Sequence, residues 1–381
     1  MTEIHGECAE EFAPVRDAML ANFTAGQEQG ASVCVTQAGR PVVDLWAGDA
    51  DDHGRPWERD TIVNVYSTTK TMAATCMLIL ADRGLIDFDA PVADYWPEFK
   101  ANGKEGVLVR HVMSHNAGLS GYDPPITWHD LANAEAVEDH LAAQAPWWEP
   151  GTHQGYHAIT QGNLEAGIVR RVTGRSIGTF FREDVAEPLG ADFHIGLPAS
   201  EDGRVADLVA PDMAIAAASA AVDPRSIAVR TLLSCPLDGT EPRTREWRGS
   251  EIPAAGGTGN ARSVGRVHSM LACGGEVDGV RLLSAAGVEK VLEVQSEDVD
   301  QVLGVKMKLG MGFGLMNENV PLSPSPRSFF WGGWGGSIAV IDLDQQLTVT
   351  YVMNKMASGL VGDIRGAMVV IAAYQALAEQ S

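Results

Sequence analysis

The stretch Tyr66-Ser67-Thr68-Thr69-Lys70 lies where a short strand is predicted to give way to an unusually apolar helix. Residues Ile62 to Val65 have the pattern of a strand, and Met72 to Asp82 is apolar on nearly every face. A helix that lacks a polar face must be surrounded by other elements. The sequence therefore predicts a central helix with a serine and a lysine at its start.

Ser67 and Lys70 are three residues apart, so on a helix they share one face. A neutral lysine amine can accept the proton of a serine hydroxyl and so activate it as a nucleophile. Burial and the positive end of the helix dipole both favour the neutral amine. Among seven lysines, only Lys70 follows a serine by three positions. The alternative is that Ser67 is a helix N-cap and Lys70 a surface residue.

The composition is that of an ordinary globular protein with a large core. The chain has 381 residues, of which 45% are hydrophobic and 20% charged. Chains of this length tend to divide into more than one unit, so two lobes are expected. With 28 basic against 50 acidic residues the formal net charge is -22. That field repels phosphate backbones and anionic membranes, so neither nucleic acid nor a membrane is an expected partner.

Cysteine usage and targeting signals favour a reducing compartment. The five cysteines are odd in number and form no CxxC pair, which is typical of reduced thiols. The first eleven residues lack the basic start and apolar run of a secretory signal. The most apolar segments, Met72 to Leu80 and Ala367 to Ala378, are too short to cross a bilayer. A cytoplasmic location is expected.

Both ends of the chain are predicted to contribute to one antiparallel sheet, and the middle to be a helical insertion. This division assigns residues 1–90 with 251–381 to a sheet lobe and 91–250 to a mostly helical lobe. The short acidic stretch Glu297 to Asp300 is predicted to be a solvated loop. The predicted terminal elements are a helix over Ala9 to Phe23, strands over Ala31 to Thr36, Val42 to Trp46, Ile338 to Leu343 and Leu347 to Met353, and a helix over Ala367 to Ala378; the predicted middle helices are Ala132 to Ala143, Leu164 to Val172 and Ala214 to Ala221.

A Pro-Gly loop, Trp147 to Ala158, carries Tyr156 near its end. A phenol beside a lysine ammonium gives up its proton more readily. Tyr156 could therefore move protons between Ser67, Lys70 and a leaving group. The alternative is a tyrosine that only packs in the core.

A glycine-rich turn, Phe330-Trp331-Gly332-Gly333-Trp334-Gly335-Gly336-Ser337, precedes the strand predicted at Ile338. Its four glycines let the backbone approach a ligand closely. A backbone N–H from this edge could form an oxyanion hole with that of Ser67. The alternative is a tight bend without a binding role.

In this order, the three motifs resemble the penicillin-recognising serine hydrolases related to class C β-lactamases. Two further stretches support the resemblance, Val109 to Leu119, and Val172 to Ser176 leading to Glu187 to Gly190. The resemblance implies an α/β (α+β) two-lobe fold in which terminal helices flank an antiparallel sheet beside a helical lobe. It places the active site in the cleft between the lobes.

The same resemblance implies roles for individual residues. Ser67 would be the acylated nucleophile, with Lys70 and Tyr156 as the proton-transfer pair. The backbone N–H groups of Ser67 and Trp334 would form the oxyanion hole. No metal or cofactor is implied.

Two departures from the family pattern favour one branch. In the β-lactamases and peptidases of this group, a lysine or histidine begins the late turn and helps hold the substrate carboxylate, whereas this chain has Trp331. Ala158 replaces the asparagine that follows the motif tyrosine by two places. Both changes disfavour β-lactams and carboxylate-terminated peptides, and a tryptophan at this turn resembles the family VIII carboxylesterases, which act on short-chain esters.

The sequence therefore predicts a serine carboxylesterase whose substrate is a small-molecule ester. Its expected substrate-binding residues are Trp331, Gly332, Gly333 and Trp148. The alternatives are a β-lactamase or D-amino-acid peptidase, an acyl transferase to an alcohol, or a catalytically silent binding protein on the same fold.

Two other motifs are predicted to have no catalytic role. His111 and His115 are four residues apart, as zinc ligands are, but Val112 takes the place of the glutamate of HExxH, and no metal site is predicted. Ser176 lies in a Gly-Arg-Ser-Ile-Gly stretch that a predicted helix precedes, so it is predicted to cap the helix that follows.

Overall fold

Among the residues that the computed structural model describes, 2–211, 223 and 225–379, nine strands form one antiparallel sheet. Three further strands form a small sheet, and the remaining two form a hairpin. The strands are β1 (Ile4–Cys8), β2 (Gly30–Gln37), β3 (Arg40–Gly48), β4 (Val63–Asn64), β5 (Phe193–His194), β6 (Thr258–Gly259), β7 (Glu276–Val277), β8 (Val280–Arg281), β9 (Ser296–Val299), β10 (Lys306–Leu309), β11 (Gly314–Leu315), β12 (Ser328–Gly332), β13 (Ile338–Asp342) and β14 (Leu347–Met353).

The α-helices of the described residues lie mostly between β4 and β9, and two of them lie near the chain ends. They are α1 (Ala13–Thr24), α2 (Thr69–Asp82), α3 (Val92–Tyr95), α4 (Val109–Met113), α5 (Ala134–Ala143), α6 (Thr160–Thr173), α7 (Ile177–Phe181), α8 (Glu187–Leu189), α9 (Ile227–Leu233), α10 (Arg245–Gly249), α11 (Ala261–Ala272), α12 (Ala285–Glu289) and α13 (Ile364–Ala378).

The two ends of the chain meet in the middle of the large sheet. Its strand order is β1-β3-β2-β14-β13-β12-β11-β10-β9, so β2 pairs with β14. Each of the four strands predicted near the termini is present, and so are both predicted terminal helices. The predicted antiparallel sheet built from both termini is confirmed.

Helices cover both faces of this sheet. Neighbouring side chains of a strand point to opposite faces. In β14, the Thr350 hydroxyl donates to Ala261 O of α11 (2.8 Å), whereas the Tyr351 ring lies against Gly366 of α13. Since α1 packs beside α13, the terminal helices cover one face and α11 the other. This explains why β2 and β14 are buried along nearly their whole length.

The helix α2 is buried throughout its first twelve residues, Thr69 to Leu80. It packs against α6, α7 and α12. The prediction of a central helix is confirmed, and β4 and the turn after it place Ser67 at its entrance.

The structure differs from the sequence analysis at two places. The first is the strand β1, which the sequence analysis does not predict. The acidic stretch Glu297 to Asp300 is not a solvated loop: it lies in and just after β9, which pairs with β10 at the edge of the sheet. An edge strand exposes one side to water and so tolerates charged residues. Asp300, which follows the strand, is instead buried and accepts hydrogen bonds from three backbone N–H groups.

Other predictions on the middle of the chain have different outcomes. Ser176 accepts a hydrogen bond from Thr179 N and caps α7, as predicted. The helix predicted over Ala214 to Ala221 lies outside the described residues, and the lobe boundaries stay a prediction. In the part of the chain that the structure describes, no helix combines the length and apolar character needed to cross a bilayer.

Candidate active site

Ser67 lies in a short 3-10 turn, Tyr66–Thr68, that leads directly into α2. Tyr66 has φ +43°, in the left-handed region, so the chain bends sharply just before the serine. The Ser67 Oγ is 3.3 Å from the Nζ of Lys70. Lys70 is only 1% exposed, so the alternative of a surface lysine is wrong.

Two backbone carbonyls fix the Lys70 amine. The Nζ donates to Ala158 O (2.6 Å) and to Ala254 O (2.9 Å). Burial lowers the pKa of Lys70 to about 7, and the carboxyl of Glu165 opposes that shift. Near neutral pH the amine is therefore partly unprotonated, with its third position directed at Ser67 Oγ.

Tyr156 completes the group. Its phenol donates a hydrogen bond of 2.5 Å to Ser67 Oγ, and Lys70 Nζ lies 5.0 Å from the centre of its ring. The structure thus brings together the three side chains that the sequence singled out. One expectation is wrong: burial raises the pKa of Tyr156 well above its ordinary value, since the loss of hydration outweighs the other interactions of the phenol. The resting phenol is neutral.

The backbone around Tyr156 is held at three consecutive N–H groups. Gly155 N donates to His115 O (3.0 Å), Tyr156 N to Asp300 Oδ1 (3.0 Å) and His157 N to His115 Nδ1 (3.1 Å). Asp300 Oδ1 also accepts from the next loop, which ties the Tyr156 segment to the end of β9. Sequence reasoning missed the supporting roles of His115 and Asp300 because both lie far away along the chain: His115 is 42 residues from His157, and Asp300 is 144 residues from Tyr156.

The two imidazoles of this cluster are neutral. His157 Nε2 accepts from Leu119 N (3.1 Å), and its Nδ1 lies 2.6 Å from Gly155 O. Burial lowers the pKa of His157 to about 3, and it lowers that of His115 well below its ordinary value. Neither histidine therefore competes with Lys70 for a proton near neutrality.

The glycine-rich turn comes close to Ser67. A Cβ on Gly333 would lie 2.1 Å from Val65 O and 3.2 Å from Ser67 N, so only glycine allows this approach. The Ser337 hydroxyl donates to Val65 O (2.9 Å), which ties the turn to the start of α2. Among the described residues, neither Ser67 N nor Trp334 N donates to a protein acceptor, which leaves both groups available to a substrate oxygen.

The predicted substrate-binding residues have different environments. Trp331 is buried, with its ring centre 5.6 Å from that of Tyr156 and 5.4 Å from that of His115. Trp148 is half-buried; its Nε1 donates to His153 O (2.9 Å), and its ring lies 5.9 Å from that of His157. Gly332 and Gly333 are buried where β12 runs into the turn.

No group of three or more His, Cys, Asp and Glu side chains within residues 2–211, 223 and 225–379 is placed to hold a metal ion. His111 Nδ1 accepts from Leu108 N (3.2 Å), while His115 supports the Tyr156 loop. These two histidines therefore have hydrogen-bonding roles.

A serine hydroxyl between a buried lysine amine and a tyrosine phenol has the features of a serine acyl-transfer site. Residues 16–372 match the beta-lactamase family, and the chain belongs to that family. The fold predicted from the three motifs is thereby confirmed.

Three relatives illustrate the similarity. The chain is 37% identical over 372 residues to the esterase/beta-lactamase LipL of Mycobacterium tuberculosis (strain ATCC 25618 / H37Rv), which covers 94% of this chain and 84% of LipL. It is 43% identical to a family VIII carboxylesterase of known structure, with a TM-score of 0.91, covering 98% of this chain and 100% of that chain. A penicillin-binding protein homologue from Caulobacter crescentus is 38% identical, with a TM-score of 0.90 and coverages of 98% and 100%. The resemblance to family VIII carboxylesterases is confirmed.

Proposed function

We propose that this protein is a serine carboxylesterase that hydrolyses short-chain carboxylic esters through a covalent acyl-Ser67 intermediate. The observation that carries the proposal is the position of Ser67 Oγ, 3.3 Å from Lys70 Nζ and 2.5 Å from the Tyr156 phenol. The similarity to LipL and to a family VIII carboxylesterase supports the choice of ester chemistry.

Lys70 is the base for the first step. A neutral amine has two N–H groups and one lone pair. The carbonyls of Ala158 and Ala254 accept from both N–H groups, so the lone pair is directed at Ser67 Oγ. As Oγ attacks the ester carbonyl carbon, its proton moves to Nζ, and the resulting ammonium has an oxygen partner for each of its three N–H groups.

The tetrahedral intermediate then collapses. The bond between the carbonyl carbon and the alcohol oxygen breaks, and that oxygen must receive a proton as it leaves. In the proposed mechanism Tyr156, which contacts Ser67 Oγ, donates its phenolic proton to the departing alcohol oxygen and regains one from the Lys70 ammonium. The high pKa of Tyr156 makes the phenol a proton carrier here and not a resting phenolate.

In deacylation, Ser67 Oγ is the leaving group, and water takes the place of the attacking nucleophile. Water attacks the acyl carbon and gives its proton to the Lys70–Tyr156 pair, the bond to Ser67 Oγ breaks, and Oγ regains a proton. In both halves the negative carbonyl oxygen would accept hydrogen bonds from the N–H groups of Ser67 and Trp334.

The preference for esters is inferred from the residues of the glycine-rich turn. Trp331 provides no charge to hold a substrate carboxylate. Its ring packs near those of Tyr156 and His115, which supports a role in holding the proton-transfer phenol in position. Gly333 lies against Ser67 N, so we infer that its missing side chain lets the acyl group approach Ser67. Binding roles for Gly332 and Trp148 remain part of the proposal. Because LipL is called an esterase/beta-lactamase, β-lactam hydrolysis is the second candidate.

The test is hydrolysis of p-nitrophenyl esters from short to long acyl chains by the wild type and by Ser67→Ala. We expect activity on short chains that the Ser67→Ala variant loses. The matched control is Ser176→Ala, which removes a helix-cap serine and should keep the activity. Activity that persists in Ser67→Ala would reject the nucleophile, and cephalosporin turnover as fast as ester turnover would favour a β-lactamase.

A cytoplasmic location is also part of the proposal. All five cysteines are free thiols in the structure, which supports a reducing compartment.

A further inference from the structure

The glycine-rich turn is held from behind by residues 357–362, which we call the backing segment. A Cβ on Gly332 would lie 2.5 Å from Gly362 N, whereas a Cβ on Gly333 would lie 3.2 Å from Ser67 N. Neighbouring side-chain positions along an extended chain point to opposite faces. The backing segment and Ser67 therefore lie on opposite faces of the turn.

Three consecutive peptide groups of the turn form hydrogen bonds with the backing segment. Gly333 O accepts from Gly362 N (3.2 Å), and Gly335 N donates to Gly359 O (3.0 Å). Gly335 O accepts from Ala357 N (2.9 Å). The backbone of the turn is thus fixed on both sides of residue 334.

These bonds also set the direction of the Trp334 N–H, the second donor of the proposed oxyanion hole. The Gly333–Trp334 peptide is trans, and a trans peptide holds its N–H opposite to its C=O. Because Gly333 O faces the backing segment, the Trp334 N–H faces the other side of the turn, where Ser67 lies.

Arg365, the second residue of α13, joins the backing segment to the turn. Its Nη1 donates to Lys355 O (2.8 Å), two residues before the segment, and its Nε to Asp363 Oδ2 (2.9 Å), directly after it. Its Nη2 donates to Gly335 O (2.6 Å) in the turn itself. The side chain is only 4% exposed. A planar guanidinium with five N–H groups can make all of these bonds at once.

We propose that Arg365 is a positioning residue that acts through the backing segment and directs the Trp334 N–H at the carbonyl oxygen of the substrate. This inference rests on the proposed function of Ser67. The charge of Arg365 is offset by its ion pairs with Glu28 and Asp363. Arg365 therefore acts through the geometry of its hydrogen bonds and not as a positive charge beside the oxyanion.

The experiment compares the wild type with Arg365→Lys, Asp363→Asn and Arg171→Lys. Arg365→Lys keeps the positive charge but replaces the planar fork by one ammonium group, which cannot reach every partner. Asp363→Asn weakens the hold on the guanidinium and keeps an oxygen that can cap α13. Arg171, near the end of α6, is the matched control, since it also joins a buried carboxylate, that of Glu138 (2.8 Å), and a backbone carbonyl, Gly167 O (3.0 Å).

Three measurements separate positioning from general damage. Steady-state kinetics on a p-nitrophenyl ester give kcat and KM. Isotope-edited infrared spectroscopy with a ¹³C=O ester gives the carbonyl stretching band of the acyl-enzyme, which moves to lower wavenumber when the oxygen accepts a hydrogen bond. Backbone ¹H–¹⁵N spectra of the free protein report the Trp334 amide itself, and urea denaturation shows that each variant is folded.

In Arg365→Lys we expect kcat to fall about tenfold with little change in KM, because the contact to the oxyanion is made in the transition state. This loss is smaller than the roughly 10²- to 10³-fold effect of removing an oxyanion donor, since Ala357 N still holds Gly335 O. The acyl carbonyl band should move to higher wavenumber, and the Trp334 amide signal should shift. Asp363→Asn should give smaller changes in the same direction, and Arg171→Lys should leave every readout at its wild-type value.

A folded Arg365→Lys variant whose kcat, acyl carbonyl band and Trp334 amide match those of the wild type would overturn the inference. A loss of kcat without a shift of the band or of the amide would overturn it as well, because general damage would then account for the loss. If Arg365→Lys does not fold, the same readouts in Asp363→Asn decide in the same way. A wild type without esterase activity whose Trp334 amide still shifts in Arg365→Lys would refute the proposed function and support the positioning of this N–H by Arg365.

Discussion

Two buried charge clusters of this molecule are built in opposite ways. Arg365, at the start of α13, forms ion pairs with Glu28 (3.1 Å) and Asp363 (2.5 Å) and donates to Gly335 O (2.6 Å) in the glycine-rich turn. By contrast, each hydrogen-bond partner of Lys70 among the described residues is a neutral oxygen atom, and the carboxyl of Glu165 has no hydrogen-bond partner among those residues.

The difference in pairing corresponds to a difference in role: Arg365 supports the structure, whereas Lys70 takes part in the chemistry. A guanidinium stays charged at all accessible pH values, so a fully paired arginine makes a fixed anchor for the turn. A buried lysine without a close counter-ion has a pKa near neutrality and can exchange a proton. Incomplete pairing at Lys70 is therefore what allows it to act as a base.

The largest effect is expected from removing the amine itself. In Lys70→Met we expect kcat/KM for a short-chain p-nitrophenyl ester to fall by about 10²- to 10⁴-fold, the range of a lost general base. The free energy of unfolding should change by less than about 2 kcal/mol, because an apolar side chain replaces a poorly paired buried charge. Chemical denaturation checks the second part, and loss of stability without loss of activity would reverse the comparison.

The opposite outcome is expected at the paired cluster. Arg365→Met leaves Glu28 and Asp363 buried without their cation, which should cost about 3–5 kcal/mol of unfolding free energy. The measurement is urea denaturation of the variant beside the wild type, with Arg327→Met, a half-exposed arginine in surface ion pairs, as the control. If the two variants are equally stable, the buried cluster does not anchor the turn.

A pH profile sharpens the comparison without mutation. Lys70 must be unprotonated to act, and its pKa is lowered to about 7. Below that pH the neutral fraction falls tenfold per unit, so kcat/KM at pH 5 should be about a hundredfold below the plateau. The stability of the protein at each pH is the control. A flat profile from pH 5 to 8 would show that Lys70 is not the titrating base.

A smaller effect is expected where a carboxylate holds the backbone of Tyr156. Asp300→Ala removes an acceptor from three backbone N–H groups, and a displaced phenol should lower kcat about tenfold. Asp300→Asn keeps an oxygen in place and should retain most of the rate. Steady-state kinetics on both variants makes the test, and equal losses would point to the negative charge instead of the hydrogen bonds.

Local patterns in the sequence were sufficient to predict much of this arrangement. The spacing of Ser67 and Lys70 predicts a shared helix face, and the all-round apolar character of α2 predicts its burial; both depend on neighbours within a few turns. The terminal strands follow in the same way from short apolar runs on either side of turn residues. Tyr156 was identified by its place after a Pro-Gly loop and by the family resemblance.

The remaining features depend on contacts that local patterns cannot show. Asp300 belongs to a run of charges, and only pairing with β10 reveals that the run is an edge strand with its last residue turned inward. Glu165 looks like any polar position of a helix until α6 is packed on α2. The pKa of Tyr156 is raised by burial, and the sequence does not show that burial. The lysine close to the tyrosine suggested the opposite shift.

The most direct test of the account is the intact mass of the enzyme, quenched by acid during turnover of a slow ester. We expect the wild type to gain the mass of one acyl group, and peptide mapping to place it on Ser67, while Ser67→Ala gains none. An acyl group on another residue, or an adduct that survives in Ser67→Ala, would contradict the central role of Ser67.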